Sequence, residues 1–394
     1  MYLKDIYLQA KPFKGQGVKA MKTVIVLGGY GNFGKRVVTA LVEDADVHLI
    51  IAGRSLSKAQ ALVDNLRESA KATLTAWQVD IFSSDFEVQL QQQAPFLVIH
   101  TGGPFQGQGH RVPQACIDAH AHYIDLADDR QFVCDISELN TRAKANDVLV
   151  VSGASSVPGL SSAVIEHFQT MFKSISTIDI AIAPGNKAER GLATIAAILS
   201  YTGHPFQVFK GGQWQPAYGW MDAKVNDFGD IAKKRGLANV DVPDLLIFPE
   251  RYKVTERVSF QAGLELPILH WGMVAMAKLA KHGVIKNWAP YAKTISALSE
   301  YLLPFGTDIG AMEVRICGIG HDKSGKNAVW RLYAPDGQGP YIPTLSAIII
   351  AKKLLTDKAY ERGAMPCVGL FTLSDFDTYF NAFGIYASEE VMPC

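Results

Sequence analysis

Residues 24–34 read Val-Ile-Val-Leu-Gly-Gly-Tyr-Gly-Asn-Phe-Gly, an apolar run followed by the spacing G-x-G-x-x-G. The unbroken apolar run predicts a strand that is buried on both faces, and a helix is expected after it. In this spacing Gly29 permits a tight turn, Gly31 allows phosphates to approach the backbone, and Gly34 lets the helix pack on the strand. Because the N-terminus of a helix presents unpaired N–H groups, the stretch predicts a pyrophosphate-binding loop.

Chain length and charge narrow the class of protein. The chain has 394 residues, which is more than one ordinary domain, so two domains are expected. It carries 38 Lys and Arg against 38 Asp and Glu, so no global field favours nucleic acid or an anionic membrane. The longest apolar runs, such as 345–351, are far shorter than the ~20 residues that a membrane span requires. We therefore expect neither a nucleic-acid partner nor a membrane span.

Cysteine and histidine spacing bears on metals and on the compartment. The five cysteines are widely spaced and form no C-x-x-C pair, which argues against a disulfide framework and a cysteine zinc site. The ten histidines show no H-E-x-x-H spacing, so no metal site is expected. Residues 1–20 contain four lysines and no continuous apolar segment, so a signal peptide is not expected. A cytoplasmic location fits these features best.

Apolar β-rich runs alternate with segments of helical periodicity between residues 23 and 152. This alternation is typical of a doubly wound α/β sheet with parallel strands. Runs such as 148–151 lack polar alternation, as expected of strands that are covered on both faces. Six strands are predicted, at 23–28, 47–53, 73–79, 96–101, 122–126 and 148–152.

Beyond residue 170 the pattern changes, which predicts a second domain of the α+β class. Strands are expected at 174–183, 312–319 and 328–334, a hairpin around Gly211-Gly212, and helices at 192–201, 267–281 and 344–355. The predicted fold class is α/β, a doubly wound parallel Rossmann sheet with a second α+β domain inserted before the C-terminal helices. Its predicted parts are an N-terminal extension (1–20), a Rossmann domain (21–170), an α+β substrate and dimerisation domain (171–342), and a C-terminal segment that returns to the Rossmann domain (343–394).

The end of the second predicted strand indicates which dinucleotide binds. Folds that prefer NAD place an acid there for the ribose hydroxyl, whereas this chain has Arg54, followed by Ser55 and Lys58. A guanidinium can pair with a 2′-phosphate, and a carboxylate would repel it, so NADP (NADPH) is the expected cofactor. A surface arginine at a strand end is the alternative interpretation.

The loops after the third and fourth strands supply further cofactor candidates. Asp80 and Ile81 follow the third strand, where an acid often contacts the adenine edge, with a helix cap as the alternative role. Residues 101–104 form a rigid turn at the carboxyl edge of the sheet, and Phe105 either walls the nicotinamide or simply packs. The predicted cofactor-binding residues are Gly29, Tyr30, Gly31, Asn32, Phe33, Gly34, Arg54, Ser55, Lys58, Asp80, Ile81, Thr101, Gly102, Gly103 and Pro104.

Candidates for proton transfer are weaker. His110 and Asp128 are the leading pair, with Asp129 and His204 beside them, because they lie near predicted strand ends or loops that face the cleft. His110 could instead be merely exposed, and Asp128 and Asp129 could cap the next helix. The catalytic acid or base therefore stays open at this point.

The motifs together resemble those of the saccharopine dehydrogenase-like NADP-binding oxidoreductases, over residues 21 to about 165. The resemblance is carried by the glycine loop at 29–34, Gly53-Arg54-Ser55, Val79-Asp80, Gly103-Pro104-Phe105, Cys116-Ile117-Asp118-Ala119, His122-Tyr123-Ile124-Asp125-Leu126, Gly153 and Pro158-Gly159.

This resemblance implies hydride transfer, often at a carbon bonded to nitrogen, with a small-molecule substrate of imine or amino-acid type held between two domains. By analogy of architecture, a homodimer through the second-domain sheet is expected. The alternatives are an enoyl reductase or a polyamine-type synthase on the same scaffold, or a non-catalytic, regulatory NADP-binding protein. An amino-dicarboxylate would need arginines for its carboxylates, and the sequence assigns none of Arg190, Arg251, Arg257, Arg315 and Arg331 to that role.

Overall fold

The computed structural model describes residues 21–356 and 360–393, so the predicted N-terminal extension lies outside the described residues. These residues form two sheets flanked by helices. The strands in chain order are β1 (Lys22–Leu27), β2 (Val47–Gly53), β3 (Thr73–Gln78), β4 (Leu97–His100), β5 (His122–Asp125), β6 (Leu149–Ser152), β7 (Phe172–Ala183), β8 (Pro205–Lys210), β9 (Gln213–Tyr218), β10 (Lys224–Asp227), β11 (Lys234–Asn239), β12 (Arg257–Ala262), β13 (Gly310–Gly320), β14 (Gly325–Ala334), β15 (Gly363–Pro366) and β16 (Tyr386–Pro393).

The helices connect and cover these strands. In chain order they are α1 (Asn32–Leu41), α2 (Leu56–Leu66), α3 (Phe86–Gln92), α4 (Arg111–Asp118), α5 (Arg130–Asp135), α6 (Asn140–Ala145), α7 (Ser161–Gln169), α8 (Leu192–Tyr201), α9 (Gly229–Ala232), α10 (Asp244–Arg251), α11 (Pro267–Lys281), α12 (Ala292–Glu300), α13 (Ile342–Leu355) and α14 (Asp377–Ala382).

The first sheet is parallel throughout and has the strand order β15-β6-β5-β4-β1-β2-β3. Every residue of β4, β5 and β6 is buried, as their apolar runs predict. The order reverses direction between β1 and β4, and ligands of such sheets bind in the crevice at this switch point. The predicted fold class is confirmed.

The second sheet is mixed and has the order β10-β11-β12-β7-β13-β14-β16, with the β8–β9 hairpin attached to β12. Only the β12–β7 pairing is parallel among the described strands of this sheet. The long β7 and β13 strands form its centre, and the residues of both that face the helices are buried, for example Ile178, Ile180 and Ile316. This sheet holds α8 and α11 against the first domain's carboxyl edge, where the site lies.

The C-terminal segment divides between the two sheets, which corrects the prediction for residues 343–394. The first sheet gains a seventh strand, β15, which pairs with β6, and α13 lies beside α1. The last strand, β16, instead pairs with β14 of the second sheet, from Tyr386 opposite Tyr333 to Pro393 opposite Lys326. Neither strand has a strong sequence signal, because β15 is four residues long with Gly and Pro, and β16 is mostly exposed.

A buried carboxyl group joins α10 to α7. Asp244 is fully buried, and its Oδ1 accepts a hydrogen bond from Ser161 Oγ at 2.5 Å. Its Oδ2 has no hydrogen-bond partner among the described residues. Burial raises the pKa of Asp244 to about 7, so the folded protein holds this proton far more tightly than the unfolded chain does.

The raised pKa of Asp244 predicts a pH-dependent loss of stability. Because the unfolded carboxyl ionises near pH 4, its contribution is most favourable at low pH and declines as pH rises through about 7. Asp244→Asn removes this titration, so its loss of stability from pH 5 to pH 8 should be smaller than that of wild type by about 3 kcal/mol. Urea unfolding at both pH values measures the difference. The exposed Asp64→Asn is the control, and equal pH dependence in wild type and Asp244→Asn would refute the prediction.

Candidate functional site

The glycine loop joins β1 to α1 by backbone contacts that leave no room for side chains. The left-handed φ of the turn, +75°, falls at Gly28 rather than at Gly29, which corrects the predicted role of Gly29. A Cβ on Gly29 would lie 2.9 Å from the carbonyl oxygen of Val26, so Gly29 instead lets the loop pass close to its own strand. A Cβ on Gly34 would lie 2.2 Å from the carbonyl oxygen of Gly28, so Gly34 permits the helix to pack on the loop.

The N-terminus of α1 fits a pyrophosphate. Gly31 is the N-cap, and no side chain caps the first turn, so its N–H groups remain available for an anion. A Cβ on Gly31 would meet only the carbonyl oxygen of Gly28 within 4 Å, which leaves the other side of this residue open. The first turn contains no acidic residue that would repel phosphate.

The end of β2 presents Arg54 to the same cleft. Arg54 is exposed, and no hydrogen bond or ion pair of its guanidinium is present among the described residues. Tyr30 supports this corner, because its hydroxyl accepts a hydrogen bond from Ser55 N at 2.9 Å and its ring lies where a Cβ on Gly53 would be. Ser55 caps α2 by accepting from Lys58 N at 3.4 Å. An unpaired guanidinium at this position suits the 2′-phosphate of NADP.

One cleft of about 960 Å³ connects the glycine loop, Arg54 and the turn after β4. Its volume is in the range of sites that hold cofactors and drug-sized ligands. Gly29, Gly34, Ser55 and Lys58 are not in its wall, so these four support the loop and α2 rather than face the cleft. The predicted residues that do line it are Tyr30, Gly31, Asn32, Phe33, Arg54, Asp80, Ile81, Thr101, Gly102, Gly103 and Pro104.

Three predicted residues at this edge of the sheet, Asp80, Thr101 and Phe105, make contacts within the protein. Asp80 Oδ1 accepts a hydrogen bond from Phe82 N at 3.0 Å, so its carboxylate shapes the loop while it faces the cleft. Thr101 Oγ1 donates to the carbonyl of Leu27 at 2.9 Å and holds the ends of β4 and β1 together. Phe105 is only 4% exposed and packs against the rings of His100 and Phe132, and it also lines the cleft, as either of its two predicted roles requires.

The four proton-transfer candidates separate clearly. His110 Nε2 donates to the carbonyl of Phe132 at 2.8 Å, His204 Nε2 donates to the carbonyl of Lys286 at 2.8 Å, and neither lines the cleft. Asp129 caps α5 by accepting from Phe132 N at 2.8 Å. Asp128 alone of the four lines the cleft.

The structure adds two residues near Asp128 that the sequence analysis does not predict, Gln106 and Tyr201. Its Oδ1 accepts a hydrogen bond from Gln106 Nε2 at 3.2 Å, and burial raises the pKa of its carboxyl. Tyr201, the last residue of α8, lines the same cleft from the second domain. Burial, and then the charges of Asp128 and Asp241, raise the pKa of Tyr201 well above its ordinary value, so its hydroxyl stays protonated. No local motif marks Tyr201, because only the packing of the two domains brings it to Asp128.

The five arginines left unassigned by the sequence are all engaged with neighbours. Four of them lie outside the cleft and pair with carboxylates: Arg251 with Glu166, Arg257 with Asp179, and Arg315 and Arg331 with Glu313. Arg190 donates to the side-chain and backbone oxygens of Asn186. The described site therefore offers no free pair of cations for a dicarboxylate.

The parallel sheet, its glycine loop and the cleft at the switch point define a dinucleotide-binding fold. Residues 24–151 match the family model described as the saccharopine dehydrogenase NADP binding domain. The match covers less than half of the chain, so it shows that this part is similar to that family. It confirms the predicted resemblance, and with it NADP as the cofactor and the oxidoreductase class. No curated protein sequence matches the chain.

One solved structure shares the fold over nearly the whole chain. The apo saccharopine dehydrogenase (L-Glu forming) of Saccharomyces cerevisiae is similar with a TM-score of 0.65 and 13% identity, covering 94% of this chain and 100% of that chain. An amine dehydrogenase from Mycobacterium smegmatis covers 88% of this chain and 94% of its own, with 10% identity and a TM-score of 0.44. At 13% identity, the similarity to saccharopine dehydrogenase shows a common fold and nothing more. The amine dehydrogenase is the more distant of the two in structure.

Two features of the described residues bear on other classes of site. Within residues 21–356 and 360–393, no three or more His, Cys, Asp or Glu side chains are grouped so that they could hold a metal ion. None of the helices in that part of the chain is both long and apolar enough to cross a bilayer.

Proposed function

We propose that this NADP-binding oxidoreductase reduces a polarised double bond of an organic substrate held between its two domains. The observation that carries the proposal is that a single cleft is lined by the glycine loop, by Asp128 of the first domain and by Tyr201 of the second. A dinucleotide on the loop and a substrate under α8 would share this space. A cofactor site without a substrate cavity would not need both domains in its wall.

The residues present fit NADP at each of its parts. Gly31 and Asn32 would hold the pyrophosphate at the start of α1, and Arg54 would hold the 2′-phosphate. The small residues of the 101–104 turn would let the nicotinamide ribose approach the sheet. When bound, the reduced cofactor supplies a hydride.

In this proposal Asp128 donates the proton, and Tyr201 stabilises the negative charge that develops on the substrate. The raised pKa of Asp128 keeps its carboxyl protonated to a higher pH than usual, so it can give a proton to the atom beside the reduced carbon. The Tyr201 hydroxyl, which stays protonated, can donate a hydrogen bond to developing negative charge. Both groups lie in a partly buried setting, where such interactions are stronger than in water.

Substitution of these two residues tests their roles. Asp128→Asn is expected to lower kcat about 100-fold and Tyr201→Phe about tenfold, with NADPH affinity unchanged. In wild type, kcat should fall as pH rises through the raised pKa of Asp128, and the Asn variant should lack this decline. His110→Gln is the control, because His110 faces a backbone carbonyl away from the cleft. An unchanged kcat in Asp128→Asn would rule out this proton donor.

The reaction class is tested by measuring NADPH oxidation with two panels of substrates. One panel contains keto acids with amines, which form the imines that the family resemblance implies. The other panel contains 2-enoyl thioesters, the substrates of the enoyl reductase alternative. A polyamine-type synthase would react with neither panel and would need an aminopropyl or aminobutyl donor. If NADPH binds but neither the two panels nor such a donor gives a reaction, the catalytic proposal fails and the regulatory alternative is supported.

We also propose a homodimer formed through the second sheet and a cytoplasmic location, as the architecture and composition favour. The outer strands of that sheet, β10 and β16, are largely exposed along their length. Sedimentation velocity of the purified protein measures the oligomeric state, and a monomer at micromolar concentration would refute the dimer.

A further inference from the structure

A second cavity lies beneath the cleft and is almost entirely apolar. This apolar chamber has a volume of about 390 Å³ and lies between α8, α11, α12 and β13. Trp220 lies in its wall and is only 2% exposed, and the indole Nε1 has no hydrogen-bond partner among the described residues. The side chains that define the chamber are Ile195, Ile198, Met273, Met276, Ile295 and Met312.

The chamber adjoins the cofactor cleft and shares part of its wall with it. Asn32, Thr194 and Ile198 line both cavities, so the junction lies beside the start of α1 and the first turns of α8. Asn32 and Thr194 place polar side chains at this junction. The wall farther from it is mostly apolar, with Ser296 and Ser299 of α12 as its polar side chains. A ligand in the chamber would therefore have a polar end at the cofactor and an apolar end away from it.

The charged groups at the edge of the chamber are already paired. Among the described residues that line it, Glu189 is the one anion, and its carboxylate contacts Lys35 Nζ at 2.7 Å and Arg36 Nη2 at 3.0 Å. Arg190 is the one cation, and it donates to Asn186 Oδ1 at 2.7 Å. Neither charge is free to bind an amino-dicarboxylate, whose burial unpaired would be costly.

The size of the chamber matches an extended chain. A cavity of about 150 Å³ holds benzene, with six carbons, and by the same ratio the chamber has room for about 15 carbons. Methionine and isoleucine side chains provide an adaptable apolar wall for such a ligand. We propose that the apolar chamber binds the aliphatic chain of the substrate, with the reacting double bond at the junction. By this volume ratio the chain is about ten or more carbons long.

This inference rests on the proposed function for the reaction itself, but its binding step can be measured separately. With a 2-enoyl thioester as substrate, a hydride adds at C3 and a proton at C2. The C2–C3 π bond is lost as two C–H bonds form, and NADPH is converted to NADP⁺. The chain beyond C4 would occupy the chamber.

A chain-length series on the full chain tests the proposal. Saturated N-acetylcysteamine thioesters of butanoic, octanoic and dodecanoic acid serve as binding probes in calorimetry, with NADP⁺ present. The matching 2-enoyl thioesters serve as substrates with NADPH. Affinity and kcat/KM are expected to rise about fourfold for each added methylene until the chamber is full.

A matched pair of variants on α11 locates the effect. Gly272 lines the chamber, and a Cβ built there meets nothing within 4 Å, so Gly272→Leu can narrow the chamber without a clash. Ala275 is exposed on the same helix and outside the chamber, so Ala275→Leu adds a similar side chain to the solvent face. Gly272→Leu should weaken the dodecanoyl probe at least tenfold and leave the butanoyl probe unchanged. Ala275→Leu should leave both unchanged.

The outcomes separate this inference from the proposed function. If binding of the saturated probes depends on chain length and is weakened by Gly272→Leu, but NADPH is never oxidised, the chamber proposal is supported and the proposed function fails. If NADPH is oxidised with short substrates and affinity is independent of chain length, the function stands and the chamber proposal is overturned. It is also overturned if Gly272→Leu changes only the oligomeric state, since Ile268 at the same wall is 68% exposed and a second copy would then be the occupant.

Discussion

Replacing Arg54 with aspartate is expected to weaken NADPH binding about 100-fold, which corresponds to about 2.7 kcal/mol, while NADH binding changes by less than about threefold. The guanidinium lies at the end of β2 in the wall of the cleft and has no partner among the described residues, so it is available for a 2′-phosphate. The substitution removes charge-assisted hydrogen bonds and places a carboxylate where that phosphate would lie. Calorimetry with NADPH and NADH at the same ionic strength measures both affinities.

The matched control is Arg67→Asp, because Arg67 is exposed just after α2 and pairs with Asp64 outside the cleft. It makes the same change of charge and should leave the ratio of the two affinities unaltered. Raising the salt concentration should reduce the effect of Arg54→Asp, since an exposed charge is screened. Equal weakening of NADPH and NADH by Arg54→Asp would disprove its role in cofactor choice.

Gly34→Ala is expected to destabilise the protein by about 3 kcal/mol and to weaken NADPH binding more than tenfold. The added Cβ would lie 2.2 Å from the carbonyl oxygen of Gly28 and 2.7 Å from Gly29 Cα, so α1 and the loop must move apart. Alanine is more favourable than glycine in a helix by up to about 1 kcal/mol. A loss of stability in Gly34→Ala would therefore show that the backbone clash outweighs this helix propensity. Urea unfolding and calorimetry measure the two effects.

Gly109→Ala provides the comparison for Gly34→Ala. A Cβ on Gly109 meets nothing within 4 Å and its φ is not positive, so stability should change by less than about 0.5 kcal/mol. Stability of Gly34→Ala equal to or above that of wild type would contradict the close packing of α1 on the loop.

Most of the first sheet is predictable because its strands carry their own signal. The apolar runs place β2 at Val47–Gly53 as predicted, and the other five predicted strands agree within two residues at each end. The strand β15 is not predicted, because its four residues include Gly and Pro and have low strand propensity. These residues form a strand because they pair with β6. The exposed β16 is set in the same way by its partner β14.

The second domain shows the same contrast. Helices α8 and α11 begin and end at the predicted residues, because their apolar periodicity and end signals are local. The strands β10, β11 and β12 are not predicted from the sequence. The strand β10 is only four residues long and mostly exposed, and β12 joins the sheet by pairing with β7, which lies far earlier in the chain. Such non-local pairing depends on partners that a local pattern does not contain.

The sequence by itself determined the glycine loop, the arginine at the end of β2 and hence the NADP-binding class, because each depends on residues close together in the chain. Tertiary structure alone decided that Gly28 takes the left-handed turn, that Asp128 rather than His110 faces the cleft, and that Tyr201 joins it. It also formed the apolar chamber, whose wall combines Asn32 at the start of α1 with helices more than 100 residues away in the chain. A short motif specifies backbone geometry, whereas burial, pKa and cavity shape arise only when distant elements exclude water from one another.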